Sequence, residues 1–131
     1  MFTRFGICAL ACGLAFPALA TGEIVCRSGD DVTVDMNVGR LEVLSVNRIT
    51  VTISGETWSS QPEVAPGTPI TVGQAFGDDA QLLVDITDGA VDEVLGRLRV
   101  FQAAEGDVRA AGGVFTFKGK GAFAVDCSEP E

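Results

Sequence analysis

The chain has 131 residues and a formal net charge of −9, and it contains neither histidine nor tyrosine. A chain of this length with 47% hydrophobic residues fits one domain with a sizeable core. Its acidity excludes nucleic acid as a partner, because neutralising phosphates requires clustered lysine and arginine. A cationic protein is the partner that the charge permits. The composition gives no indication of a cofactor, and none is predicted.

The first 20 residues have the pattern of a signal peptide. A short basic start precedes an uncharged apolar run over residues 5–16, and residues 18–20 supply the small-x-small motif for cleavage. The run is too short to span a bilayer, so no transmembrane segment is predicted for the mature chain. We predict cleavage after Ala20 and a periplasmic or secreted protein. Lipidation at Cys12 is the alternative.

Cleavage would remove two of the four cysteines and leave Cys26 and Cys127. Two cysteines in an oxidising compartment allow one intramolecular disulfide. This bond would tie the first strand to the last and close nearly the whole domain into one loop. The chain has no histidine and, after cleavage, no Cys-x-x-Cys spacing that would lower a thiol pKa. We therefore interpret the pair as a structural link.

The mature chain alternates short apolar-polar segments with turn residues, which predicts strands. The predicted strands cover residues 23–28, 32–36, 41–46, 48–54, 57–59, 70–76, 81–87, 95–103, 109–118 and 121–127. Gly55-Glu56 predicts a type II′ turn, and residues 60–69, with three of the five prolines, predict a loop. In the strand at 70–76, Ile70, Val72 and Phe76 are expected to point inward.

Residues 88–98 fit two patterns. A helix capped by Asp88 would align four apolar residues at helical spacing: Val91, Val94, Leu95 and Leu98. A strand beginning at Leu95 would instead point Leu98 inward and the flanking arginines outward. Because the rest of the chain reads as strands, we favour a turn over 88–94 followed by a strand.

Eight to ten short strands without crossover helices predict an all-β domain over residues 21–131. An antiparallel sandwich and a small closed barrel both accommodate them, with the terminal strands tied by the disulfide. Strand patterns alone do not choose between these architectures. The last three residues predict a short frayed tail, and a monomer is expected.

The residues that most enzymes use are missing from this chain. It has no histidine, no Gly-x-Ser-x-Gly motif and no glycine-rich phosphate loop. We therefore predict a non-catalytic protein.

Four carboxylates surround Gly89: Asp85, Asp88, Asp92 and Glu93. Carboxylate-rich turns can bind Ca²⁺, which makes a calcium-dependent binding module one hypothesis. Their spacing does not match the EF-hand loop. The competing interpretation is a solvated turn in which Asp88 caps the backbone.

Two features predict a partner-binding surface. Basic residues concentrate late in the chain, and an outward ridge is predicted from Arg97, Arg99, Arg109 and Lys118. The competing interpretation is the charged solvent face of a hairpin. The single tryptophan, Trp58, precedes the proline-rich loop that carries Glu63. Exposed aromatics beside loops often anchor partners, but a lone tryptophan in a small β domain is usually a core residue.

Two short segments, Ser54-Gly55-Glu56-Thr57-Trp58 and Lys118-Gly119, resemble the Ser-Gly-x-x-Tyr and Lys-Gly segments of periplasmic lysozyme inhibitors, with Trp58 in place of the tyrosine. Those proteins are also exported, disulfide-closed β domains. The resemblance implies an inhibitor of a cationic cell-wall hydrolase. The leading prediction remains broader: an exported, non-catalytic β domain that binds a partner or associates with the envelope.

Overall fold

The computed structural model describes residues 21–129, which form a closed barrel of nine strands. The strands are β1 (Thr21–Ser28), β2 (Val32–Arg40), β3 (Leu44–Ile53), β4 (Glu56–Ser59), β5 (Thr68–Gly77), β6 (Gln81–Asp88), β7 (Val94–Glu105), β8 (Val108–Phe117) and β9 (Gly121–Ser128). The predicted signal peptide, the alternative lipidation site at Cys12 and the last two residues of the predicted tail lie outside the described range. Within that range there is no helix long and apolar enough to cross a membrane.

The all-β prediction is confirmed, and the barrel is the architecture observed. Strands that follow one another in sequence are neighbours, and β1 pairs with β9 to close the ring. All pairs are antiparallel except β4 and β5, which run parallel. A closed ring with an odd number of strands cannot alternate direction throughout, so one parallel pair is unavoidable. The loop over residues 60–67 makes that connection, which explains the prolines there.

A β-bulge joins two segments that the sequence predicts as separate strands. Residues 41–46 and 48–54 largely form one continuous strand, β3, which begins at Leu44. Opposite it, Asn37 pairs with Arg48 while Val38 pairs with Val46, so Asn47 is the extra residue of the bulge.

A second bulge corrects the predicted orientation of Phe76. Val72 pairs with Ile86 and Gln74 with Asp85, which leaves Gly73 as the extra residue. Side chains alternate with a period of two, so one inserted residue reverses the phase beyond it. Phe76 therefore lies on the outer face, 52% exposed, instead of pointing inward.

The structure defines two turns that the sequence leaves open or places differently. Residues 89–93 form a turn between β6 and β7, so the helical alternative is wrong and the turn prediction is confirmed. The β3–β4 turn is centred on Ser54 and Gly55, with φ values of 48° and 87°. Positive φ at both central positions defines a type I′ turn, one residue earlier than the predicted type II′ turn.

The barrel interior is filled by buried side chains from all nine strands. Its largest fully buried members include Phe115, Met36, Ile49, Ile86 and Leu98. Phe117 adds a second aromatic layer, with its ring 6.0 Å from that of Phe115. A small barrel has an interior just wide enough for such side chains. Functional chemistry is therefore expected on the outside of this barrel.

The predicted disulfide is confirmed. Cys26 and Cys127 are directly opposite each other on β1 and β9, with Cα atoms 4.0 Å apart. The β1–β9 seam contains three paired positions, and the disulfide occupies the middle one. The disulfide therefore joins β1 to β9 within the short ladder that closes the barrel.

Alternating strand directions sort the turns into two groups. The β2–β3, β5–β6 and β7–β8 turns lie at one end, which we call the upper end. The β1–β2, β3–β4, β6–β7 and β8–β9 turns lie at the lower end. The β7–β8 hairpin projects at the upper end, because its pairing continues to Glu105–Val108, whereas β6 and β9 pair with it only as far as Phe101 and Gly112.

Candidate functional site

The four carboxylates predicted as a calcium site do not converge on one point. Asp85 accepts a hydrogen bond from Arg99 at 2.8 Å, and Glu93 pairs with Lys118. The Asp88 carboxylate accepts the backbone N–H of Asp92 at 2.7 Å. No group of three or more potential metal ligands is found among the described residues. The arrangement matches the capped-turn interpretation.

The predicted basic ridge is divided in the structure. The ion pairs of Arg99 and Lys118 neutralise two of its members. Arg97 is exposed and forms no ion pair with the described residues. Arg109 lies near the tip of the hairpin, opposite Ala104. Seven positions separate its level from that of Arg97 on the ladder, a distance of roughly 23 Å at the usual strand rise. The four residues therefore do not form one continuous cationic surface.

Trp58 is a core residue, as the second interpretation of the sequence proposed. It is 9% exposed, and its ring centroid lies 4.7 Å from that of Phe117. Lys120 covers it from outside, with Nζ 5.6 Å from the ring centroid, and pairs with Glu56 at 2.8 Å. Trp58 thus closes the lower end of the barrel. Glu63 is exposed in the loop over residues 60–67.

The lower end carries acidic side chains in numbers similar to those of the upper end, which has six carboxylates and two arginines: Glu42, Asp78, Asp79, Glu105, Asp107, Glu129, Arg40 and Arg109. The turns and adjoining strand ends of the lower end bring together six carboxylates, two lysines and one arginine: Asp30, Asp31, Glu56, Asp88, Asp92, Glu93, Lys118, Lys120 and Arg27. Both lysines are in ion pairs. Three exposed carboxylates have no ion pair among the described residues: Asp30, Asp31 and Asp92. The lower end is therefore a negatively charged surface on rigid turns.

The two segments that resemble lysozyme inhibitors meet at this end. The β3–β4 segment contains Glu56 and Trp58, and both are contacted by Lys120, the residue that follows Lys118-Gly119. Lys118 itself pairs with Glu93. The Ser54 N–H also donates to the Asp31 carbonyl at 2.9 Å, which ties in the β1–β2 turn. No protein-family model, curated protein or solved structure matches this chain. The resemblance thus stays at the level of two short segments that lie side by side.

The outer face of β7 and β8 carries an apolar surface that is not among the predicted sites. Phe101 is 67% exposed, Val108 74% and Val114 48%. The inward prediction for Leu98 already implies an outward Phe101 by alternation. That signal was available in the sequence, whereas the outward position of the neighbouring Phe76 depends on the bulge at Gly73.

Asp35 has the one displaced pKa found among the described residues. Asp35 lies on the outer face of β2, where partial burial raises its pKa from 3.8 to about 6. The neighbouring Glu23 carboxyl also raises this pKa, while the charges of Arg48 and Arg27 oppose the shift. The native state therefore retains a proton that the unfolded chain has already lost between these two values. Stability should fall as the pH rises through that window.

Substitution Asp35→Asn tests this prediction. We expect the variant to lose that pH dependence and to be more stable than the wild type at pH 7 by about 1 kcal/mol, after discounting for solvent screening. Urea unfolding from pH 4 to 7 measures both effects. Thr50→Ser, opposite Asp35 on β3, is the control and should keep the wild-type pH dependence. An Asp35→Asn curve parallel to the wild type would contradict the prediction.

Proposed function

We propose that this protein is an exported, non-catalytic binding domain whose partner is a cationic protein, and that the partner docks on the lower end of the barrel. The observation that carries the proposal is the position of the Ser54–Trp58 segment at that end, where Lys120 contacts Glu56 and Trp58 on a surface with six carboxylates. The Cys26–Cys127 disulfide is consistent with an oxidising compartment outside the cytoplasm.

The shape of the lower end favours recognition of a folded surface. Its turns are held to one another by the Ser54–Asp31 hydrogen bond and the Glu56–Lys120 ion pair. A pre-organised surface loses little conformational entropy on binding. Complementary charge raises the association rate and makes it sensitive to salt. A basic protein would therefore bind rapidly and release at high ionic strength.

The sharpest form of the proposal is inhibition of a cationic cell-wall hydrolase such as lysozyme. It is supported by the proximity of the two segments that resemble lysozyme inhibitors, since Lys120, the residue that follows Lys118-Gly119, contacts Glu56 and Trp58 at the proposed docking end. In this form, bound protein would block access to the hydrolase active site.

Calorimetric titration of purified cationic lysozymes into the disulfide-bonded protein, at about 50 and 300 mM salt, tests the proposal together with a turbidity assay of cell-wall lysis. The triple variant Asp30→Asn, Asp31→Asn, Asp92→Asn is expected to weaken binding at low salt about 10- to 30-fold, at roughly half a kcal/mol for each exposed pair. The matched control neutralises three exposed carboxylates of the upper end: Glu42→Gln, Asp79→Asn and Asp107→Asn.

Binding that both triple variants weaken equally would indicate a general charge effect and contradict docking at the lower end. Binding without loss of lytic activity would retain the binding domain and exclude the inhibitor. If no lysozyme binds at low salt, the inhibitor form of the proposal fails. The broader form then fails as well if purified basic proteins of other folds do not bind.

The same titrations with EDTA and with added Ca²⁺ decide the calcium-dependent alternative. We expect identical affinities, because Asp85 and Glu93 already have cationic partners in Arg99 and Lys118. A binding constant that rises severalfold with Ca²⁺ would instead support a calcium-dependent module.

A further inference from the structure

The outer face of the β7–β8 hairpin is apolar along its centre. Phe101, Ala103, Val108, Ala110 and Val114 all lie on this face, because they alternate with the inward Leu98, Val100 and Phe115. All five are exposed. We call these five residues the hairpin strip. A contiguous exposed apolar surface on a small domain indicates an interaction site.

Phe101 stands at the centre of a hollow made by small residues. Gly112 lies directly opposite it, and Ala103 and Ala110 form the next pair along the ladder. None of these side chains rises above the sheet as far as a phenyl ring does. The strip thus has one large projecting side chain among small neighbours, and the Asp126 carboxylate borders Gly112 on the β9 side.

Side chains of opposite charge lie on the two sides of Phe101 along β7. Arg97 lies four residues before it and Glu105 four residues after it, on the same outer face. Each is therefore about 13 Å from Phe101 along the strand. Both side chains are exposed, and neither forms an ion pair with the described residues.

We propose that two copies of this chain form a homodimer by packing their hairpin strips face to face around a two-fold axis at Phe101. Only an antiparallel arrangement places Arg97 of each copy opposite Glu105 of the other, and it does so twice in every dimer. The same axis brings the Phe101 ring of each copy against the Phe101 ring of the other. An isologous interface requires this kind of self-complementary pattern.

The size of the strip sets the strength of the dimer. A face about 27 Å long, four strands wide on one side of Phe101 and two strands wide on the other, covers roughly 380 Å² of sheet, from the usual strand rise and spacing. Two copies would bury roughly 750 Å², which is typical of a weak interface, so we expect a dissociation constant of about 100 μM. The lower end stays free, so the dimer goes beyond the proposed binding function and differs from the predicted monomer.

Sedimentation equilibrium of the disulfide-bonded protein from about 1 μM to 1 mM tests the dimer. We expect a mass that rises from one to two copies. Phe101→Ser should weaken dimerisation about 100-fold by removing the central ring from each copy. Arg97→Glu and Glu105→Arg, each alone, should weaken it at least about tenfold, and the double variant should restore it because every opposed pair again carries unlike charges.

Val64→Ser is the matched control, since Val64 is also an exposed apolar residue but lies in the loop over residues 60–67. It should dimerise like the wild type. Three results would overturn the proposal: a wild-type mass of one copy at 1 mM, an equal effect of Val64→Ser, or failure of the double charge reversal to restore what the single reversals remove. A monomeric wild type would leave the strip to a different protein.

Discussion

Replacement of Gly113 by alanine is expected to destabilise the barrel by about 3–5 kcal/mol, a large fraction of the stability of a domain of this size. A Cβ atom at this position would lie 1.8 Å from the carbonyl oxygen of Arg99 and 2.9 Å from the Cα of Val100. Backbone atoms cannot rotate away as a side chain can. The β7–β8 ladder would have to move apart, and the core residues that the two strands carry would move with it.

Urea unfolding of the Gly113→Ala protein measures this effect. Gly22→Ala is a suitable control, since Gly22 also lies in a strand and a Cβ there would meet nothing within 4 Å. The control should change stability by less than about 1 kcal/mol. Equal unfolding midpoints for Gly113→Ala and Gly22→Ala would show that the ladder relaxes without cost, contrary to the steric argument.

Removing the disulfide with Cys26→Ala and Cys127→Ala is expected to lower the free energy of unfolding by about 4–5 kcal/mol. The two cysteines are 101 residues apart, and the chain-entropy relation gives about 4.7 kcal/mol for a loop of this length. The loss of stability should be greatest at the β1–β9 seam, because three residue pairs close the ring there.

Denaturant unfolding of the oxidised wild type and the double variant tests this value, and hydrogen exchange locates it. Amides of β1 and β9 should lose protection first in the variant, because the short seam then opens independently of the other ladders. Wild-type protein reduced under denaturing conditions and refolded with blocked thiols serves as a second comparison. A loss below about 1 kcal/mol would mean that the unfolded chain is already compact.

Much of the fold was predictable because it follows from local patterns. Alternation predicted the inward positions of Ile70 and Leu98, both of which are buried, since side chains in a strand point to opposite sides in turn. The pairing of Cys26 with Cys127 was predictable because the predicted cleavage after Ala20 would leave no other combination. The favoured turn over residues 88–94 followed from its context among strands.

Other features depend on contacts between distant segments. The inward prediction for Phe76 failed because one extra residue at Gly73 is accommodated only when β5 pairs with β6. Long-range contacts also change the predicted calcium ligands and the predicted basic ridge, because ion pairs neutralise several of their charged side chains. Asp85 and Arg99 are 14 residues apart, and Glu93 and Lys118 are 25 apart, yet each pair is joined by an ion pair.

By itself, then, the sequence determined the strand content, the inward faces of most strands, the disulfide and the acidic charge, because these are properties of composition and short-range alternation. The tertiary structure alone decided that the sheet closes into a nine-stranded ring, which in turn forces β4 and β5 to run parallel. It also decided that Trp58 is a core residue and that exposed apolar side chains gather on the β7–β8 hairpin. Such features arise from the order and register of strands, and register is set by long-range packing that no local pattern contains.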